Sequence, residues 1–142
     1  MRLLLDTAVM VAAIRSDAGA SRRLLVAALE GRLTLLASVP LMIEYQAVMT
    51  RPEHLAASGL SSDEVEVLLD AIAAVATPVR IAFLWRPVLG DPDDDMVLET
   101  AVNGQADAIV TFNVRDFSGN AYRFGLAVLL PGEALRRLER SP

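Results

Sequence analysis

Short apolar runs alternate along the chain with longer segments in which apolar residues recur every three or four positions. The short runs predict five strands, at residues 3–5, 33–37, 79–83, 107–111 and 126–130. The longer segments predict six helices, at residues 7–14, 21–29, 40–49, 62–76, 94–103 and 133–140. Because strands and helices alternate, we predict an α/β protein with a mainly parallel sheet and helices on both of its faces.

Local signals support several of these helix ends. Gly31 follows the second predicted helix, as a C-terminal glycine does, and Ser61 with Glu64 forms a capping box before the fourth. The 142 residues contain no repeat and no linker, so we predict a single domain over residues 1–142. The N-terminal apolar run stops at Asp6, and no segment is long enough to span a bilayer. We therefore expect a cytoplasmic protein with no membrane partner.

The composition excludes several kinds of chemistry. All 13 basic residues are arginine, so P-loop nucleotide binding and Schiff-base catalysis lack the lysine they need. The chain has no cysteine, which excludes disulfides, thiol catalysis and cysteine-ligated zinc. Its single histidine, His54, cannot form a histidine-rich metal site and is predicted to be exposed and inert. No Gly-x-Gly pair occurs, which disfavours a dinucleotide-binding domain.

Acidic and hydroxyl side chains follow the predicted strands where those strands end. Ligands bind at the carboxyl ends of the strands in an open parallel sheet, so these side chains are expected to face a common site. They come from four segments of the chain and comprise Asp6, Ser38 with Glu44, Asp91 with Asp93 to Asp95, and Thr111 with Asn113 and Asp116.

A divalent cation is the natural compensator for clustered carboxylates, which otherwise repel one another. Mg²⁺ and Mn²⁺ prefer oxygen ligands, and such a metal can bind a phosphodiester oxygen and activate a water. Each acid also has an ordinary interpretation as a helix cap or a surface charge, but capping alone does not explain acids from four segments together. Seven of the 18 acids lie in these segments, so the net charge of −5 is concentrated there and does not exclude an RNA partner.

Four motifs in series resemble the PIN-domain ribonucleases, in particular the VapC-like branch of toxins from type II toxin–antitoxin pairs. They are residues 4–9 (LLDTAV), 38–45 (SVPLMIEY), 91–101 (DPDDDMVLETA) and 106–117 (ADAIVTFNVRDF). The resemblance runs from Leu3 to about Leu138. It implies a three-layer α/β/α sandwich, a carboxylate site for Mg²⁺ or Mn²⁺, and cleavage of single-stranded RNA or tRNA. It also implies a cognate antitoxin and a homodimer.

Carried over residue by residue, the resemblance assigns the first three family acids to Asp6, Glu44 and Asp95, with Asp94 as an alternative or helper for the third. The fourth position is Asn113, where many relatives have Asp, and Asp116 is the candidate for the missing charge. Thr111 and Ser38 are supporting hydroxyls. We expect Asp6 and Asp95 to hold the metal with Asp94 or Asn113 nearby, Glu44 to hold a second metal or orient water, and Arg15, Arg51 and Arg115 to bind phosphate.

Two departures from the family pattern keep a second function open. Ala8 stands where an Asn is usual, which removes one hydrogen-bonding group beside Asp6, and Asn113 replaces an acid. The alternative is therefore a catalytically degenerate PIN-like interaction module that binds a protein or RNA partner without cleaving it.

Overall fold

A computed structural model of the chain describes residues 1–82 and 92–140, with residues 92 and 93 described by their backbone alone. Five strands form one sheet in the order β3-β2-β1-β4-β5, and every pair of neighbours is parallel. The strands are β1 (Arg2–Leu5), β2 (Thr34–Ala37), β3 (Thr77–Pro78), β4 (Ala108–Val110) and β5 (Ala127–Leu129).

Eight helices connect and cover these strands within the described residues, giving the three-layer α/β/α sandwich that was predicted. They are α1 (Thr7–Arg15), α2 (Ala20–Leu29), α3 (Val39–Met49), α4 (Pro52–Ser58), α5 (Ser62–Val75), α6 (Pro92–Asn103), α7 (Val114–Arg123) and α8 (Pro131–Arg140). No described helix has the length and apolar character needed to cross a membrane.

The core explains why the central strands read as unbroken apolar runs. Leu3, Leu4 and Leu5 of β1 are fully buried, as are Ile109 and Val110 of β4. A parallel strand with helices on both faces buries every side chain, so its sequence does not alternate between apolar and polar residues. The apolar runs therefore identified the central strands to within two residues at each end.

The predicted helix ends are largely confirmed. Ser61 Oγ accepts from the Glu64 amide at 3.1 Å, and the Glu64 carboxylate accepts from the Ser61 amide at 3.0 Å, which completes the capping box before α5. Gly31 follows α2 with φ of 76°, a left-handed conformation that glycine adopts without strain.

The predicted secondary structure needs correction at three places. The third strand is not residues 79–83 but the two-residue edge strand β3, and Phe83 lies outside the described residues. Helix α4 was not predicted, although it begins at Pro52, a residue suited to a first helical turn, and ends at left-handed Gly59. Helix α7 was not predicted either. It contains the poor helix former Gly119, but it buries Phe117 and Ala121, one turn apart, against the core.

Candidate functional site

Three neighbouring strands end in the same row of the sheet. In the β1–β2 pair Leu3 lies opposite Leu35, and in the β1–β4 pair Leu5 lies opposite Val110. The residue after each strand therefore falls in one row, which contains Asp6, Ser38 and Thr111. All three side chains are buried, with exposed fractions of 8%, 3% and 0%. The register thus brings together one predicted acid and both predicted supporting hydroxyls.

Asp6 is held by donors on both of its carboxylate oxygens. Its Oδ1 accepts from the Thr7 amide at 2.8 Å and caps α1, and its Oδ2 accepts from Thr111 Oγ1 at 2.7 Å. The same Thr111 oxygen accepts from the Asn113 amide at 3.0 Å. The positive end of the α1 dipole and two donors stabilise a negative charge here, so Asp6 is suited to remain an anion despite its burial.

Ser38 links α3 to α6. Its Oγ caps α3 by accepting from the Leu41 amide at 3.3 Å and lies 2.8 Å from Thr100 Oγ1. Thr100 in turn donates to the Met96 carbonyl at 2.9 Å, so the Ser38 hydroxyl is the donor to Thr100. This chain of hydroxyls fixes the end of β2 against the turn of α6 that follows Asp95.

Two carboxylates are buried on α6, one turn apart. Asp95 is 3% exposed and Glu99 is 1% exposed, whereas Asp94 is half-buried. Glu99 was not among the predicted site residues. Its sequence signal was the i, i+4 spacing from Asp95, which puts both acids on one face of α6, next to the apolar residues Val97 and Leu98. Asp91 and the side chain of Asp93 lie outside the described residues.

Tyr45 fixes the position of α3 relative to β1. Its side chain is fully buried, and its hydroxyl donates to the carbonyl of Leu5, the residue before Asp6. Burial raises the pKa of Tyr45 well above its ordinary value, and the negative charge of Asp6 raises it further. Glu44, which precedes Tyr45, is thereby carried on a helix that is anchored beside Asp6.

A cleft of about 320 Å³ opens at Thr7, the residue after Asp6, and we call it the Glu44 cleft. Thr7, Ala8 and Val11 form its α1 side. Its complete lining is Thr7, Ala8, Val11, Glu44, Val48, Arg51 and His54.

Two predicted phosphate-binding arginines border the Glu44 cleft. Arg51 lines it directly, and Arg15 Nη1 lies 3.3 Å from Nδ1 of His54, which also lines it. His54 is half-buried rather than exposed, contrary to the prediction. Arginine has no acceptor atom, so the Arg15 guanidinium is the donor in this contact. This contact was not predicted because helix α4, which carries His54, was not predicted.

The remaining predicted residues lie at the start of α7, directly after β4. Asn113, Arg115 and Asp116 are all exposed there. The Asp116 amide bonds to the Asn113 carbonyl at 3.0 Å, while the Asp116 side chain bonds to no other residue in the described part of the chain. These residues share the sheet edge with Thr111 but are not held against Asp6 as Thr111 is.

The oxygen donors at this edge of the sheet are of the type that a hard divalent cation prefers. Within residues 1–82 and 92–140, no three Asp, Glu or His side chains cluster tightly enough to hold a metal by themselves. Mg²⁺, however, is usually bound by one or two carboxylates and several waters. Buried Asp6 and Asp95 are carboxylate donors of that kind, and the Thr111 hydroxyl bonds to Asp6.

Comparison with known families gives one match. A family model described as PIN domain matches residues 2–115, about four fifths of the chain. The match runs from β1 to the first turn of α7 and includes every predicted site residue except Asp116. No curated protein matches the chain by sequence.

Proposed function

The chain belongs to the PIN-domain family, and on that premise we propose that it is a metal-dependent endoribonuclease that hydrolyses phosphodiester bonds of single-stranded RNA. PIN domains are typically metal-dependent nucleases, which supports the broader assignment to the hydrolases. The observation that carries the proposal for this chain is the buried carboxylate of Asp6, held by Thr7 and Thr111 beside the Glu44 cleft.

In this proposal Asp6 and Asp95 hold one Mg²⁺ or Mn²⁺, with Asp94, Asn113 or Asp116 as a further ligand. A cation bound by these residues would supply positive charge to the phosphate and would lower the pKa of a coordinated water. Glu44, in its cleft beside Asp6, orients the attacking water or contributes to a second cation site.

The other predicted residues position the reacting groups. Thr111 holds Asp6 in place, and Ser38 ties α3 to the helix that carries Asp95. Arg51 and Arg15 bind phosphates of the strand at the Glu44 cleft, and Arg115 binds one at the start of α7. Because the chain has no lysine, arginine is the only long basic side chain that could serve.

The biological role we propose is that of the toxin in a toxin–antitoxin pair, acting on RNA or tRNA in the cytoplasm as a homodimer. A groove of about 630 Å³ between α2 and α5 supports a protein partner. Leu25, Leu29 and Leu68 line this groove, and Val67 beside them is 68% exposed. Leu69, the next residue of α5 after Leu68, is part of the core.

A second candidate is an interaction module that binds its partner without cleavage. The observation that favours it is Ala8, which lines the Glu44 cleft and offers no polar side-chain atom to a ligand. Asn113 likewise brings an uncharged side chain to a position where many PIN domains have an acid.

Cleavage of a mixed single-stranded RNA pool, with EDTA, Mg²⁺ or Mn²⁺, separates the two candidates. We expect wild-type protein to cut only with metal, and Asp95→Asn and Glu44→Gln to lose at least about 100-fold in rate. Glu53→Gln, an exposed acid on α4, is the matched control and should cut like wild type. Equal activity in all four proteins would mean that this site does no chemistry, and RNA binding without cutting would favour the interaction module.

A further inference from the structure

An exposed aromatic ring stands directly beside the row that contains Asp6. Phe112 follows Thr111, whose hydroxyl holds Asp6, and its side chain is 50% exposed. Leu130, which follows the neighbouring strand β5, is 42% exposed. The Thr111 amide bonds to the Leu129 carbonyl at 2.9 Å, and continuing the β4–β5 register places Leu130 opposite Thr111, one residue before Phe112. Two large apolar groups thus face solvent at the edge where the acids gather.

These two side chains form one wall of a recess of about 470 Å³, which we call the Phe112 recess. Residues with hydrogen-bond donors and acceptors also line it, namely Ser16 with a hydroxyl, Glu133 with a carboxylate and Arg136 with a guanidinium. Gly132 has no side chain, and a Cβ at that position would stand 3.5 Å from Arg136 Nη1, so the guanidinium lies close above the backbone. The recess therefore combines an aromatic surface with donors and an acceptor around it.

Helix α1 borders both this recess and the Glu44 cleft. Ala8 and Val11 line the Glu44 cleft, whereas Ala12 and Ser16 line the Phe112 recess. Asp6 caps the same helix. In the sheet, the Glu44 cleft lies on the β2 side of β1, and the Phe112 recess lies on the β4 and β5 side. The two depressions consequently flank the strand that delivers Asp6.

We propose that the Phe112 recess binds a nucleobase of the single-stranded RNA substrate, with the base stacked on the Phe112 ring. This inference rests on the proposed function. An unpaired nucleobase has a flat face that stacks on aromatic rings and an edge of donors and acceptors that matches a polar rim. In this arrangement the Glu44 cleft binds phosphates and the recess binds a base. The RNA backbone between these two contacts then passes over Asp6.

The test measures binding without cleavage. Fluorescence anisotropy in EDTA follows a fluorescein-labelled six-nucleotide RNA of mixed sequence bound to wild type, Phe112→Leu, Phe112→Trp and Tyr122→Leu. Tyr122 is the matched control because it is an aromatic side chain, 84% exposed, that does not line the recess. We expect Phe112→Leu to bind roughly tenfold more weakly, Phe112→Trp to bind within threefold of wild type, and Tyr122→Leu to bind like wild type.

A second measurement assigns the effect to one base. A series of hexamers carries a single abasic nucleotide, at a different position in each hexamer. At one position the missing base should weaken RNA binding by wild type by the same factor as the Phe112→Leu substitution does. The same missing base should not weaken RNA binding by Phe112→Leu any further. The proposal is overturned if Phe112→Leu binds RNA as tightly as wild type, or if Phe112→Trp binds as weakly as Phe112→Leu. It is also overturned if every abasic nucleotide weakens RNA binding by Phe112→Leu as much as it weakens binding by wild type.

Cleavage with Mn²⁺ is scored separately on the same proteins. A wild type that binds the hexamer through Phe112 but never cuts RNA overturns the proposed nuclease and leaves the base-binding recess standing. Metal-dependent cutting together with binding that is indifferent to Phe112 overturns only the recess. A wild type that neither binds the hexamer nor cuts RNA with Mn²⁺ overturns both.

Discussion

Thr111 Oγ1 lies 2.7 Å from Asp6 Oδ2, although the two residues are 105 positions apart in the chain. Pairing of β4 with β1 sets this distance, because it brings the ends of the two strands into one row. A charged hydrogen bond between buried groups contributes more than a neutral one at the surface. The geometry of the proposed metal ligand therefore depends on how the sheet is assembled.

Thr111→Val removes the hydroxyl while nearly keeping the shape of the side chain. We expect it to lower the free energy of unfolding by about 1.5–3 kcal/mol, since a buried hydrogen bond to a charged group is lost. Urea denaturation measures the change. Thr111→Ser should recover most of the loss, and Ser118→Ala, an exposed hydroxyl on α7, is the control. A Thr111→Val protein as stable as wild type would show that the bond contributes nothing.

Binding of a divalent cation to the folded chain should raise the melting temperature. At 100 times its Kd, a ligand specific for the folded state stabilises by about 2.7 kcal/mol, which corresponds to roughly 5–10 °C for a chain of this size. We expect Mn²⁺ to produce this shift in wild type and to produce little or none in Asp6→Asn, which still caps α1.

Asp17→Asn is the control for this cation experiment, because the Asp17 side chain is 99% exposed and remote from the row that contains Asp6. It should respond to Mn²⁺ like wild type. If wild type shows no shift up to millimolar Mn²⁺, or if Asp6→Asn shifts equally, Asp6 is not a metal ligand.

Arg51 should contribute to the salt dependence of RNA binding. Each phosphate neutralised on a single strand adds about 0.7 to the slope of log K against log salt. Arg51→Gln is therefore expected to lower that slope by about 0.7, whereas Arg123→Gln, an exposed arginine at the end of α7, should leave it unchanged. Anisotropy titrations between 50 and 300 mM salt in EDTA give both slopes. Identical slopes would remove Arg51 from the proposed binding surface.

Tyr45 predicts a loss of stability at alkaline pH. Its pKa is raised in the folded protein, so the folded state keeps a proton that the unfolded chain releases above pH about 10. The stabilisation is present below that pH and is lost as the pH rises, by about 1.4 kcal/mol per unit for one group. Tyr45→Phe cannot ionise and should decline less steeply between pH 9 and 11.5.

The same variant should be about 1–2 kcal/mol less stable than wild type at pH 7, because the bond to the Leu5 carbonyl is lost. Chemical denaturation at a series of pH values records both effects. Tyr122→Phe is the control, since its side chain lies in solvent. Parallel pH profiles for wild type and Tyr45→Phe would contradict the assignment.

Much of the fold follows from the sequence because burial on both sides of a parallel strand leaves a plain apolar run. Strands β1, β2, β4 and β5 were each predicted to within two residues. Strand β3 was misplaced, since an edge strand two residues long with a proline carries almost no pattern. Helices α4 and α7 were missed because short helices depend on their caps and on tertiary packing more than on periodicity.

The candidate site was predictable to the extent that it depends on strand ends. Asp6, Ser38 and Thr111 each follow a strand, and the register placed them in one row as expected. His54 and Phe112 were not recognised because their importance comes from what surrounds them in space. A histidine on an unpredicted helix and a phenylalanine after a strand have no distinctive spacing to reveal a cleft or a recess.

Asp6 is oriented before any cation arrives, because a backbone amide and a hydroxyl already fix its two oxygens. A ligand that is locked in place loses little conformational entropy when it coordinates an ion. Cation affinity at this position should therefore respond weakly to temperature-induced loosening of surface loops and strongly to anything that shifts β4 along β1. The alignment of β1 with β4 in the core would thus set the cation affinity of the proposed site at the ends of these strands.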